Sequence, residues 1–265
     1  MSSAQEPPTA AIAFDSVSKS YGGGDRKVLE EVSLAVRERE FLAVVGPSGS
    51  GKTTLLRLIN RLIDPTDGTV RVAGEDVRTV DPIMLRRRIG YVFQGVGLFP
   101  HMTVAENIGI TPRLLGQDAA AIARRVDELI ELVRLDRAAH GRRLPHELSG
   151  GERQRVGVAR ALAASPRIVL MDEPFGALDP LTRDALSQDY RTLHDTLGLT
   201  TVMITHDMME ALLLADRIAV MRAGRVIADG TPDAMMTHSG DDFVSELMQT
   251  PRRQADRLNA LKAAR

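Results

Sequence analysis

Gly46-Pro47-Ser48-Gly49-Ser50-Gly51-Lys52-Thr53 satisfies the pattern G-x-x-x-x-G-K-[ST] at every fixed position. Before it, Phe41 to Val45 is an unbroken apolar run, as expected of a strand buried on both faces. After it, Leu55, Leu58, Ile59 and Leu62 fall on one helical face, and the pattern stops at Asp64-Pro65-Thr66-Asp67-Gly68. The unit is strand, loop and helix, the context this motif requires. Glycines let the backbone wrap with its N–H groups inward, so the loop and the helix N-terminus form a concave anion site. Phosphate belongs there, with Lys52 reaching the β- and γ-phosphates and the Thr53 hydroxyl on Mg²⁺.

Beyond this unit, the chain of 265 residues has room for one large domain, or one domain with a sizeable insertion. Apolar residues make up 43%, yet the only aromatics are six Phe and three Tyr, so the core is aliphatic. Lys+Arg (34) and Asp+Glu (35) nearly cancel, which leaves no positive field for nucleic acid and, with few rings for stacking, excludes that partner class. The absence of cysteine excludes disulfides and thiol chemistry. No apolar run approaches the roughly 18 to 20 residues that span a bilayer, and the start carries neither a basic n-region nor an apolar h-region. These features place the expected site of action in the cytoplasm.

Residues 1–10 read as a disordered lead-in and the body begins near Ala11. Strands are expected at Val32 to Val36, Thr69 to Ala73, Ile89 to Phe93, Ile168 to Met171, Thr201 to Thr205 and Arg217 to Met221. Residues from about 95 to 148 are helical in period, including Ala119 to Leu135, and read as a helical insertion in an α/β core. Residues 250–265 form a basic helix or tail, a solvated surface helix rather than a membrane-binding one. With one glycine-rich phosphate motif per chain, a second nucleotide site must come from another chain.

Arg167-Ile168-Val169-Leu170-Met171-Asp172-Glu173-Pro174 is an apolar strand ending in two acids, and ligands bind at the carboxyl ends of parallel strands. Asp172 can hold the Mg²⁺ shell while Glu173 accepts a proton from an attacking water; the bland alternative is two acids stabilising the next helix. Phosphoryl transfer to water is the default chemistry, with a small-molecule kinase as competitor. In Leu148-Ser149-Gly150-Gly151-Glu152-Arg153-Gln154-Arg155, Ser149 and Glu152 form a capping box, which is a complete structural explanation. Yet two glycines in a first turn cost roughly 1 kcal/mol each relative to Ala, and they leave a bare helix N-terminus that suits a second anion.

With these motifs the sequence resembles the ATP-binding cassette (ABC) family of transporter ATPases, over Ala11 to about Met248 and in the family's order. The resemblance implies a P-loop NTPase core with a helical subdomain between the Q-loop and the signature motif. It gives Tyr21 the adenine-stacking role. Gly46, Pro47, Ser48, Gly49, Ser50, Gly51, Lys52, Thr53 and Thr54 match Walker A. Gln94 matches the Q-loop glutamine on Mg²⁺, and Leu148 to Glu152 match the signature, with Glu152 where Gln is commonest. Ile168 to Glu173 match Walker B with its general base, Ala177-Leu178-Asp179 the D-loop, and His206 the switch histidine. Taken alone, Tyr21 reads equally well as a turn tyrosine, while His206 reads more readily as a satisfied helix-start histidine. The resemblance also implies a head-to-tail dimer with each ATP between one chain's Walker A loop and the other's Ser149, Gly150 and Gly151. Closure on ATP and reopening on hydrolysis would drive separate membrane permease subunits, with this chain peripheral on the cytoplasmic face of the inner membrane.

Gly90 to Ile108 is a strand, a loop broken at Pro100, and a helix opened by a Thr103 and Glu106 capping box. Leu98, Phe99 and Met102 read equally as core fillers or as a docking patch. In the family this region receives the permease. Gly97-Leu98-Phe99-Pro100-His101-Met102-Thr103, then Pro112-Arg113-Leu114-Leu115-Gly116, looks most like the ATPases of glycine betaine, choline or carnitine importers, which use a substrate-binding protein; importers of other polar solutes such as amino acids share much of the pattern. Many such ATPases carry C-terminal CBS domains, for which this chain, ending at Arg265, has no room, so gating through them is not expected. A soluble ABC ATPase of DNA repair or translation is the rival; it usually has two cassettes or a long coiled-coil insertion. A non-hydrolysing regulatory module is disfavoured by Glu173 and His206.

Overall fold

A computed structural model describes residues 10–22, 27–237 and 240–249. The expected lead-in, apart from Ala10, and the expected basic tail lie outside the described residues. The chain runs β1 (Ala10–Ser20), β2 (Lys27–Arg37), β3 (Phe41–Val45), α1 (Lys52–Ile59), β4 (Asp67–Val72), β5 (Glu75–Asp76), α2 (Pro82–Arg87), β6 (Ile89–Val92), α3 (Val104–Leu114), α4 (Ala119–Leu132) and α5 (Arg137–His140). It continues through α6 (Gly150–Leu162), β7 (Ile168–Asp172), α7 (Pro180–Leu197), β8 (Thr200–Ile204), α8 (Met208–Leu214), β9 (Arg217–Arg222), β10 (Arg225–Gly230) and α9 (Pro232–Thr237).

Two sheets result, one ordered β2-β1-β4-β5 and antiparallel, the other ordered β10-β9-β3-β8-β7-β6. In the second sheet β9, β3, β8, β7 and β6 are parallel and β10 is an antiparallel edge. The central strands are buried on both faces, which is why their sequences are continuous apolar runs rather than alternations. Phe41, Ala43 and Val45 join one core with α3, α4, α6 and α7, while Leu42 and Val44 join the other with α1 and the antiparallel sheet. Tyr190 of α7 and Phe41 meet edge to face at 5.9 Å, and the buried Tyr190 hydroxyl is satisfied by Thr201 at 2.8 Å.

Two elements, β1 and β10, differ from expectation. Ala10, read as lead-in, already pairs with Arg37 and opens β1. The strand β1 has register shifts, with Ser16 at φ 47, so its apolar residues lose the period of two that would have marked it. β10 follows a two-residue loop, Ala223 and Gly224 at φ 48 and 80, the left-handed pair that suits a tight hairpin. Within 95–148 the described elements are helices, as expected, and Val104, Ile108, Val126, Leu129 and Ile130 pack into the same core as α6.

Candidate nucleotide site

The order β3-β8-β7-β6 sets the carboxyl ends of four parallel strands side by side, with Val44 paired to Ile204 and Ile204 to Asp172. The loop after β3, Asp172 and Glu173 after β7, His206 after β8 and Gln94 after β6 therefore share one edge. At Gly46, φ is 148 and a Cβ would lie 2.1 Å from the Met221 carbonyl oxygen on β9, so no side chain fits. Gly51, the N-cap of α1, has φ 102, and a Cβ there would lie 2.8 Å from the Val28 carbonyl oxygen. It offers no side-chain cap, which leaves the helix N-terminus for an anion.

Lys52 is buried and its ammonium donates to the carbonyl oxygens of Gly46 at 2.8 Å and Pro47 at 2.9 Å. Burial pulls its pKa below the usual lysine range, against the pull of Glu173 and Asp172. The Ser50 hydroxyl is buried without a hydrogen-bond partner among the described residues, an orphan in the phosphate cradle. Thr53 Oγ1 donates to Asp172 Oδ1 at 3.4 Å, and burial together with the Glu173 charge pushes Asp172 above the usual carboxylate range. An incoming cation would relieve that cost. Among the described residues no cluster of three His, Cys, Asp or Glu could hold a metal alone, but one hydroxyl and one carboxylate suit Mg²⁺, which keeps waters and takes phosphate oxygens.

Glu173 stands at φ 46, a left-handed conformation costing a side chain about 1–3 kcal/mol, and its N–H is tied to the Ile204 carbonyl at 3.0 Å. Its Oε2 accepts from Gln94 Nε2 at 3.1 Å and lies 3.4 Å from His206 Nδ1. These three residues, with Gly150 and Arg153, line a cleft of about 350 Å³. Among the described residues no hydrogen bond joins Gln94 to Thr53 or Asp172; its amide is engaged with Glu173 instead. Tyr21 is half exposed at the end of β1, with Lys19 Nζ 5.2 Å over its ring. The start of β2 abuts the phosphate loop through Val28 and Leu29, which brings this hairpin to the site's edge.

Ser149 caps α6, accepting from Glu152 N at 3.2 Å, while Glu152 Oε2 takes the Ser149 N–H at 2.7 Å. A Cβ on Gly151 would lie 2.5 Å from Thr182 Cγ2, so close packing on α7 explains part of that glycine inside the chain itself. Asp179 caps α7, accepting from Thr182 N at 3.1 Å. No hydrogen bond among the described residues joins Ser149, Gly150 or Gly151 to the chain's own phosphate loop.

Beside the site lies a groove of about 450 Å³ lined by Tyr91, Phe93, Phe99, Leu114 and Arg160. Leu98 packs on the core, as the core-filler reading expects, while Phe99 is exposed in the groove. Sequence reasoning missed what holds the loop. Arg160 donates to the carbonyls of Gly97 at 2.7 Å and Val96 at 2.8 Å. Asn107, fully buried, accepts from Phe99 N at 2.8 Å and donates to the Met102 and Thr103 carbonyls at 2.9 and 3.0 Å. Its only sequence signal is an amide on the inward face of an apolar helix. Asn107→Ala is expected to cost about 2 kcal/mol, since it orphans several buried backbone groups, and thermal or urea denaturation checks it.

The sequence profile described as ABC transporter matches residues 29–176. The choline transport ATP-binding protein OpuBA of Bacillus subtilis (strain 168) is 48% identical over 241 residues, covering 91% of this chain and 63% of that protein. The glycine betaine uptake system ATP-binding protein YehX of Escherichia coli (strain K12) is 48% identical over 235 residues, covering 89% and 75%. This chain thus spans somewhat less than two thirds of OpuBA. Among solved structures, the dimeric post-hydrolysis state of the ATP-binding cassette MJ0796 bound to ADP and Pi aligns at TM-score 0.75 and 33% identity, over 83% of this chain and 98% of that one. Strand order, phosphate loop and acidic strand end agree with this likeness: the chain belongs to the ABC transporter family.

Proposed function

We propose that this chain binds and hydrolyses ATP in an importer of quaternary-amine osmoprotectants of the glycine betaine, choline or carnitine type. The observation that carries the enzymatic part is Glu173, held by Gln94 and His206 beside the loop that bears Lys52. The transported class rests on the likeness to OpuBA and YehX, whose names give choline and glycine betaine.

In this reading Lys52 exchanges the Gly46 and Pro47 carbonyls for phosphate oxygens, and the backbone N–H groups between Gly46 and Thr54, except at Pro47 which has none, cradle the phosphates with Ser48, Gly49 and Ser50 between. Tyr21 stacks on adenine. Thr53 and Asp172, joined by Gln94 once it has moved from Glu173, would hold Mg²⁺, which would neutralise phosphate charge. Glu173 takes a proton from the attacking water, and His206 fixes the carboxylate toward it. A second copy, docked head to tail, brings Ser149, Gly150 and Gly151 to the phosphates and Asp179 to the interface. The groove beside Phe99 receives a permease subunit, which in turn meets a substrate-binding protein. Among the described residues no helix is long and apolar enough to cross a membrane, so attachment at the cytoplasmic face is through those partners.

The dimer is tested with Ser149→Arg. This change leaves the chain's own loop untouched and puts a long cation in the facing copy's site. Turnover should fall on the order of 10²-fold, the scale of a misplaced catalytic group, with nucleotide binding within about twofold of wild type. Steady-state ATPase and equilibrium nucleotide titration read the two effects. Unchanged turnover would remove the signature turn from the partner's site. Membrane attachment is tested by fractionation, where the chain should co-purify with its permeases.

A further inference from the structure

We propose that His140 is a positioning residue of the signature turn: through Glu152 it fixes the Ser149 cap that faces the partner copy's nucleotide. The proposal rests on the dimer reading above and adds a residue from the helical insertion, outside the family's motifs.

His140 ends α5 with its side chain mostly covered. Nδ1 lies 2.8 Å from the Asp136 carbonyl oxygen and Nε2 lies 2.9 Å from Glu152 Oε1. Both partners only accept, so the ring satisfies both only by donating from both nitrogens. The other Glu152 oxygen takes the Ser149 N–H at 2.7 Å, and the Ser149 hydroxyl takes the Glu152 N–H. The Ser149 N–H and the His140 ring hold the Glu152 carboxyl down to about 2, so it is an anion at neutral pH. One carboxylate is therefore shared, one oxygen to the cap and one to the histidine.

A cap needs no such third member. Ser149 and Glu152 already satisfy each other, which leaves the second Glu152 oxygen with no part in the cap. The neighbouring charges are engaged elsewhere: the Asp136 carboxylate takes the Ala139 N–H at 2.6 Å, and Arg137 is paired with Asp127 of α4. The chain just after His140 also holds the groove. Gly141 and Arg143 carbonyls accept the first free N–H groups of α3, from Ala105 at 3.0 Å and Val104 at 2.9 Å. His140 thus stands where the helix that follows the groove loop meets the signature turn. An exposed ion pair adds little to stability, and Glu152 is partly exposed, so the effect of this bond is on position.

The test compares His140→Ala, His140→Gln, Glu152→Ala and the His140→Ala/Glu152→Ala double variant in the full chain. It measures kcat, KM for ATP, nucleotide binding and Tm. His140→Ala should lower kcat/KM roughly tenfold, the scale of one charge-assisted hydrogen bond, with nucleotide binding and Tm unchanged. His140→Gln, which keeps an amide donor near Nε2, should recover most of the loss. In the Glu152→Ala background, His140→Ala should cost nothing further. Wild-type kcat/KM in His140→Ala, or a full additional loss in the double variant, overturns the proposal. Ser149→Arg separates the two failures: if it abolishes turnover while His140→Ala does not, only His140 is wrong, and if neither lowers turnover the dimer reading has failed as well.

Discussion

Glu173→Gln is expected to lower ATP turnover on the order of 10² to 10⁴ fold, the usual worth of a positioned general base, while ATP binding persists. The side chain keeps its shape, and an amide oxygen can still accept from Gln94 Nε2, now 3.1 Å from Glu173 Oε2. What is lost is the basic oxygen. The proposed binding groups are Lys52 at the start of α1 and the N–H groups of the loop between β3 and α1, and Lys52 is held by the Gly46 and Pro47 carbonyls rather than by a hydrogen bond to Glu173. The variant also lowers the negative charge beside Asp172, whose pKa the Glu173 charge helps to raise, so metal binding at Asp172 is not impaired by crowding. Single-turnover hydrolysis with parallel nucleotide titration measures both quantities. Turnover within threefold or so of wild type, well short of a general base's worth, would take Glu173 out of the proton transfer.

Gly46→Ala should abolish nucleotide binding and destabilise the chain. The new Cβ would stand 2.1 Å from the Met221 carbonyl oxygen, a backbone atom that cannot turn away, because β9 is held to β3 through Val45 and Val220. The loop itself must move. A clash of this kind with the strained φ of 148 costs on the order of 3 kcal/mol, roughly 5–10 °C in Tm for a domain of this size. The control is Gly49→Ala. Gly49 also has positive φ, at 77, but a Cβ there meets nothing within 4 Å, so about 1 kcal/mol of backbone strain is the whole cost and the loop keeps its shape. Differential scanning calorimetry with nucleotide titration on both variants decides this. Equal behaviour of the two would mean that the Met221 contact does not shape the loop.

The parts of the site carried by local pattern were legible. A buried run, a glycine loop and a helical period identified β3 and α1, and a second buried run ending in acids identified β7 and its two carboxylates. What stayed hidden depends on contacts between residues far apart in the chain. Arg160 reaches Gly97 and Val96 across more than sixty positions, and no local spacing announces it. Asn107 and His140 are single polar residues whose partners exist only once α3, α5 and α6 pack. β1 was unmarked because its bulges destroy the alternation that a strand shows in sequence, and the left-handed backbone of Glu173 has no sequence signature in a non-glycine residue. In sequence the glycines after Ser149 suggest only an open anion site, while in the fold Gly151 also makes room for Thr182.

The most direct measurement is uptake of labelled glycine betaine and choline by cells whose only intact importer contains this chain, comparing wild type with Glu173→Gln at equal protein level. The account predicts uptake of at least one of the two by wild type and none above background in the variant. Wild-type cells that take up neither solute, while the purified complex still hydrolyses ATP, would contradict the osmoprotectant assignment. Uptake that survives in Glu173→Gln would contradict the hydrolytic role of the site itself.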